Sequence, residues 1–210
     1  MFLGRDGVIN RYASSVSGAP SSAAEFELFP GVGQAIRTLN RLGLPVVVVS
    51  NQPGIARGEF TAMALDAINE KMRAALEREG ARTDAVLYCR HDPLGQVEAY
   101  RVGCECRIPK PGMLLRAARE RNLNLSASFL VGAVAEEILT GRAAGVTTIL
   151  LAPQRAGGGE NLSDYTARDL REAVQIIGEL AAQAPRGLPA AWSAAPAQPD
   201  AEEAVLARPS

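Results

Sequence analysis

Every cysteine and the one histidine of this 210-residue chain fall between positions 89 and 106. Cys89 and His91 form one short arm, twelve residues intervene, and Cys104 and Cys106 form the other. Thiolate and imidazole are the donors of a tetrahedral zinc site, and two short arms on one loop let four of them converge. The plainer alternative is a buried cysteine pair beside a solvated histidine. Chance seldom gathers all four groups into one such array, so zinc is the reading. Four protein ligands leave no open coordination position, which makes the ion structural rather than catalytic. It is expected to pin a loop whose apolar residues, Leu94, Val97 and Val102, are too few to fold it, with an apparent binding energy of about 10–16 kcal/mol. An odd number of thiols argues against a disulfide framework.

The elements that must position such a loop follow from hydrophobic periodicity. Short apolar, β-branched runs alternate with amphipathic stretches, the pattern of an α/β fold with a parallel sheet and helices on both faces. Val32 to Leu42 reads as a helix stopped at Gly43, and Leu44 to Ser50 as a buried strand. Thr61 is placed to cap a long helix that ends at Gly80, with Met63, Ile68, Met72 and Leu76 at helical spacing. Ala85 to Tyr88 reads as a strand and Gly112 to Arg121 as a helix. Phe129 to Gly132, Glu136 to Ala144 and Thr147 to Leu151 give strand, helix and strand, and a last helix is expected over Tyr165 to Leu180. Only three residues precede Gly4, so the first strand is short or the start lies upstream. The domain is expected over 1–182, with the zinc loop at 89–106 and an Ala/Pro-rich disordered tail over 183–210 that carries Trp192.

Composition excludes several partners. A net charge of −1 gives no electrostatic reason to expect nucleic acid or an anionic membrane. Of the 22 basic residues only Lys71 and Lys110 are lysines, a compositional bias rather than a binding signal. No apolar run approaches the roughly 20 residues of a membrane span, and the N-terminus lacks a signal-peptide layout, so a cytoplasmic protein is expected.

Four segments in register resemble the zinc-containing D-glycero-D-manno-heptose 1,7-bisphosphate phosphatases and the related histidinol-phosphate phosphatases of the haloacid dehalogenase (HAD) superfamily. They are Phe2 to Asn10 (FLGRDGVIN), Ser50 to Gly58 (SNQPGIARG), Arg107 to Met113 (RIPKPGM) and Val131 to Glu137 (VGAVAEE), with the zinc array between the second and fourth. The resemblance implies a Rossmann-like HAD fold with its site at the carboxyl ends of the strands. It also implies an aspartyl-phosphate intermediate: a first Asp attacks phosphorus, a second serves as acid and base, a Ser holds phosphate oxygens, a Lys neutralises charge, and a fourth-motif Asp shares magnesium with the first.

This sequence departs from that pattern where the chemistry lies. Gly4 stands at the nucleophile position, Ile108 at the third-motif lysine and Ala133 at the metal-binding Asp; Asp6 is retained at the acid/base position. Asp6 is a poor substitute nucleophile, lying near 6–7 Å further along the chain, because in-line attack loses about 100-fold per 1 Å of misplacement. Lys110 is two residues from the lysine position across the stiff Pro109. Glu136 and Glu137 read first as an acidic opening turn of a helix, with a weak magnesium contact at Glu137 as the alternative. Magnesium is expected of the family but not of this chain, since both of the carboxylates that should hold it are missing. Arg11 to Ser15 replaces the Asp, Gly and Tyr of the relatives' substrate loop.

Ser50, Asn51, Gln52, Arg57, Arg107 and Lys110 remain as an anion pocket for a phosphorylated sugar; the alternative is that Ser50 and Asn51 close a turn while the arginines face solvent. The resulting expectation is a pseudophosphatase that binds a phosphorylated sugar or a protein partner. Its alternatives are an active phosphatase on heptose 1,7-bisphosphate or a related sugar phosphate, and a structural subunit that pairs with an active relative.

Overall fold

The computed structural model describes residues 1–13, 18–152 and 162–183. Six strands form one all-parallel sheet in the order β3-β2-β1-β4-β5-β6. They are β1 (Phe2–Gly4), β2 (Val47–Asn51), β3 (Ala85–Cys89), β4 (Phe129–Gly132), β5 (Thr147–Leu151) and β6 (Tyr165–Ala167). The helices are α1 (Val32–Arg41), α2 (Gly54–Arg57), α3 (Ala62–Arg78), α4 (Gly112–Arg121), α5 (Ala135–Ala144) and α6 (Leu170–Gln183). The short β1 is a central strand, pairing with β2 through Leu3 opposite Val48 and with β4 through Leu3 opposite Val131.

Side-chain alternation along the strands builds the two layers. Leu3, Val48, Val131 and Ile149 point to one face, where α1, α3 and α6 pack through Ile36, Leu39, Ile68, Met72, Ala173 and Ile177. Phe2, Val47, Val49 and Leu130 point to the other and meet Met113, Leu114 and Ala117 of α4 and Ala144 of α5. Both faces of the sheet are covered by helices, as the sequence pattern implies.

Local chemistry sets the boundaries. The Thr61 side chain accepts from the Ala64 amide at 3.1 Å and starts α3. Met63 is 80% exposed, so the buried stripe of that helix begins at Leu65 instead. The single closing helix expected over 165–180 is two elements. Asp164 accepts from the Thr148 amide and hydroxyl at 2.7 and 2.8 Å, which fixes Tyr165–Ala167 as an edge strand beside β5. Asp169 then accepts from the Glu172 amide at 2.9 Å and opens α6. Trp192 and the expected tail beyond 183 lie outside the described residues.

Because every strand runs the same way, the ends of β1, β2, β3 and β4 reach one edge of the sheet. Gly4, Asn51, Cys89 and Gly132 therefore stand along that edge. The chain reverses its direction of strand addition between β1 and β4, the place where open α/β sheets hold ligands.

Candidate functional site

Two clusters occupy this edge. In the loop that follows β3, the Sγ atoms of Cys89 and Cys104 lie 3.5 Å apart, and those of Cys104 and Cys106 lie 3.2 Å apart. His91 Nδ1 is 3.7 Å from the Cys89 sulfur and 3.3 Å from that of Cys106. All four donor atoms fall within 4.8 Å of one another and could hold a metal ion. A tetrahedral ion with ordinary Zn–S and Zn–N bonds needs donor separations of about 3.5–3.8 Å, so the residues fit it with only small expansion. Cys106 is drawn down to about 5, first by its hydrogen bond with Cys89 and then by Cys104 and His91; Cys89 is pushed up. As expected, the loop has little core of its own: Leu94 is 90% exposed.

The second cluster forms where β1 and β4 end. Asp6 is the hub. Its Oδ1 accepts from Asn10 Nδ2 at 2.9 Å and from Arg5 Nε at 3.2 Å. Its Oδ2 accepts from Gln52 Nε2 at 2.9 Å, Arg5 Nη2 at 3.1 Å and the Ser50 hydroxyl at 3.3 Å. Arg5 is 1% exposed, and its ion pair with Asp6 compensates two charges taken from water together. Gln52 Oε1 and Asn10 Oδ1 are buried acceptors without a partner among the described residues. Their amide nitrogens donate to Asp6, which fixes these oxygens facing away from it.

Beside this hub stands Glu137, 7% exposed. Its Oε2 accepts from the Ala133 amide at 2.7 Å and the Val134 amide at 3.4 Å, tying the side chain back to the start of its own helix. This is the helix-terminus role expected of the acidic turn. The rest of its placement was not foreseen. A Cβ at position 4 would come 3.0 Å from Glu137 Cδ and closer still to Oε1. The carboxyl group of α5 thus lies in the space that a residue-4 side chain would enter, and it would have to shift to admit one. Burial pushes Glu137 up to about 7; the Ala133 and Val134 amides oppose that rise, and the nearby Asp6 and Glu136 add to it. Tyr12 lies at the same corner: a Cβ on Gly7 (φ 84) would meet both the hydroxyl end of Tyr12 and the Ala133 side chain. Burial, then Glu137, Asp6 and Glu136, push its phenol up to about 12.

The remaining candidates divide. Ser50 and Gln52 join the hub. Asn51 is spent on the backbone of position 108, donating to its carbonyl and accepting from its amide at 3.0 Å each. Ile108 itself is 7% exposed and packs in the apolar layer with Cys89 and Met113. Arg57 and Arg107 do not simply face solvent: both turn to Asp92, Arg57 Nη2 at 2.8 Å and Arg107 Nη2 at 3.6 Å. Arg107 Nη1 also donates to the His91 carbonyl at 2.7 Å. Lys110 pairs with Glu105 at 2.8 Å and is 52% exposed, away from the hub. Sequence reasoning missed Arg5, Asn10 and Asp92. A signal existed for Arg5, a charged residue between a buried strand and Asp6.

The magnesium carboxylates that the resemblance implies at positions 4 and 133 are absent, and Glu137 is the carboxyl group that stands beside Asp6. Both Asp6 oxygens already accept from Arg5, Asn10, Ser50 and Gln52.

Sheet order, parallel direction and the carboxylate after β1 together define a Rossmann-like α/β protein of the HAD phosphatase type. No protein-family model matches the chain. Over 182 residues it is 37% identical to the D-glycero-β-D-manno-heptose-1,7-bisphosphate 7-phosphatase of Escherichia coli K12, covering 84% of this chain and 92% of that protein. The D,D-heptose 1,7-bisphosphate phosphatase of B. bronchiseptica, solved with magnesium and phosphate, superposes with a TM-score of 0.71 at 31% identity, covering 86% of this chain and 98% of that one. A HAD-like phosphatase from Mesorhizobium loti gives a TM-score of 0.73 at 34% identity, with 85% of each chain covered. The chain belongs to the heptose-1,7-bisphosphate phosphatase family of the HAD superfamily.

Proposed function

We propose that this chain binds a phosphorylated sugar at the β1–β4 edge without running the aspartyl-phosphate reaction, and that a structural zinc ion sits in the Cys89–His91–Cys104–Cys106 cluster. The observation that carries this reading is the filled space at position 4: no residue-4 carboxylate exists, and Glu137 occupies where one would be. Ser50, the Arg57–Arg107 pair and the buried acceptors of Gln52 and Asn10 suit a ligand rich in phosphate oxygens and hydroxyl donors. No described helix is long and apolar enough to cross a membrane.

Hydrolysis is the second reading, and the comparisons speak for it more directly than for a disarmed site. The relatives are named as phosphatases, and one is solved with magnesium and phosphate. Magnesium-dependent phosphate release from D-glycero-D-manno-heptose 1,7-bisphosphate separates the two. The binding reading expects calorimetric binding with no phosphate released. Steady turnover by the unmodified chain overturns it.

A further inference from the structure

We infer that Glu137 is an internal anion seated in the ligand site, and that it sets the site's affinity for phosphoryl groups. The inference rests on the reading of this edge as an anion site, and goes beyond it by naming the residue that governs how tightly an anion is held. Glutamate is almost never buried without a reason in its surroundings, and here the surroundings are specific. Gly4 lacks the Cβ that would collide with the carboxyl group. Ala133 brings no competing carboxylate, and its amide and that of Val134 hold Oε2 in place. The charges that act on Glu137 are acidic, Asp6 and Glu136, while the buried cation of the corner, Arg5, is committed to Asp6.

An incoming phosphoryl group therefore meets a carboxylate held by the fold. The donors it would use on this side, Ser50 and Gln52, already serve Asp6. Like charges a few ångströms apart in a partly buried site cost enough to change affinity by roughly tenfold or more. Glu137→Gln removes the charge while keeping the volume and an oxygen to accept from the Ala133 amide.

The test is titration calorimetry at pH 8 and fixed ionic strength, with inorganic phosphate and with a hexose bisphosphate as probes. Glu137→Gln is expected to bind inorganic phosphate about tenfold more tightly than the unmodified chain, with a larger gain for the bisphosphate. A purely structural role would leave affinity unchanged or lower it. If Glu137→Gln misfolds, the Gly4→Ala/Glu137→Ala double variant, which replaces the carboxyl group by a Cβ in the same space, carries the same expectation. Unchanged binding by a folded variant, with the unmodified chain still binding, overturns the role of Glu137 and leaves the anion site standing. No binding by either protein overturns both.

Discussion

The loop after β3 and the ends of β1 and β4 share one edge of the sheet but keep their chemistry unequally. The loop holds every group a four-ligand metal site needs, with all donors within 4.8 Å of one another. The strand ends keep Asp6 and its donors but carry Gly4, Ile108 and Ala133 at the positions that the family resemblance assigns to reacting groups. The difference lies in what each region does for the fold. The loop has almost no core, so loss of one ligand removes much of what holds it together. The strand ends are held by Phe2, Leu3, Val47, Val48 and Leu130, all fully buried, whatever stands at position 4. On the proposed reading, reacting groups can be absent there at little cost in stability: Glu137 lies against position 4, and Ile108 joins the apolar layer.

The largest effect that would sharpen this contrast is loss of the metal cluster. Cys106→Ser, or chelation, should cost a large part of about 10–16 kcal/mol of apparent metal binding. It should appear as loss of one equivalent of bound zinc and a steep fall in melting temperature. A variant that melts like the parent would show that the loop is held by other means.

Next comes repair of the reacting groups. Gly4→Asp with Ala133→Asp and Ile108→Lys restores the family's groups but leaves Glu137 in the space the new side chain needs. Overpacking of this kind costs typically 1–3 kcal/mol, and here it also crowds acidic groups together. The triple variant is expected to be destabilised and inactive, and Glu137→Ala added to it should recover stability and bring magnesium-dependent phosphate release. Activity in the triple variant alone would show that Glu137 moves aside freely.

A comparable effect is expected from pH. Glu137 titrates near 7 in the folded chain against 4.5 when unperturbed. The native state thus keeps a proton that the unfolded chain has already lost, and stability falls as pH rises from about 4.5 to about 7. The difference amounts to about 3 kcal/mol above that window. Glu137→Gln should therefore be more stable than the parent by about 3 kcal/mol at pH 8 and by less than about 1 kcal/mol at pH 5 in denaturant unfolding. A gain independent of pH would place the effect in packing rather than in charge.

How much of this was legible in the sequence depends on the range of the interactions. The strands, the Thr61 cap and the metal loop are local patterns, and they lie where periodicity and spacing put them. The break at 165–170 was missed because Asp164 acts through Thr148 on a neighbouring strand, a long-range bond that no local pattern carries. Met63 misled because helical spacing alone cannot tell a buried stripe from an exposed flank. At the site, the absence of side-chain oxygens at positions 4 and 133 was plain from residue types. That Glu137 lies against position 4 was not, because it depends on a rotamer meeting a glycine 133 positions away.

The smallest effect tests whether the two regions are coupled at all. Asp92 lies next to His91 in the metal loop, yet its carboxylate is spent on Arg57, from the segment after β2, and on Arg107. Burial alone would raise Asp92; the Leu94 amide, Arg57 and Arg107 instead hold it below the usual carboxylate range. That contribution is present above about pH 4 and lost as pH falls through the lowered value. Arg57 is 40% exposed, so solvent screens the pair, and Asp92→Asn should cost only about 1 kcal/mol. Its effect on anion binding should be easier to see, because two guanidinium groups lose the anchor that orients them: phosphate affinity is expected to drop several-fold with zinc content unchanged. A drop in zinc content instead would mean that Asp92 serves the metal loop alone, and that the two regions are neighbours without being partners.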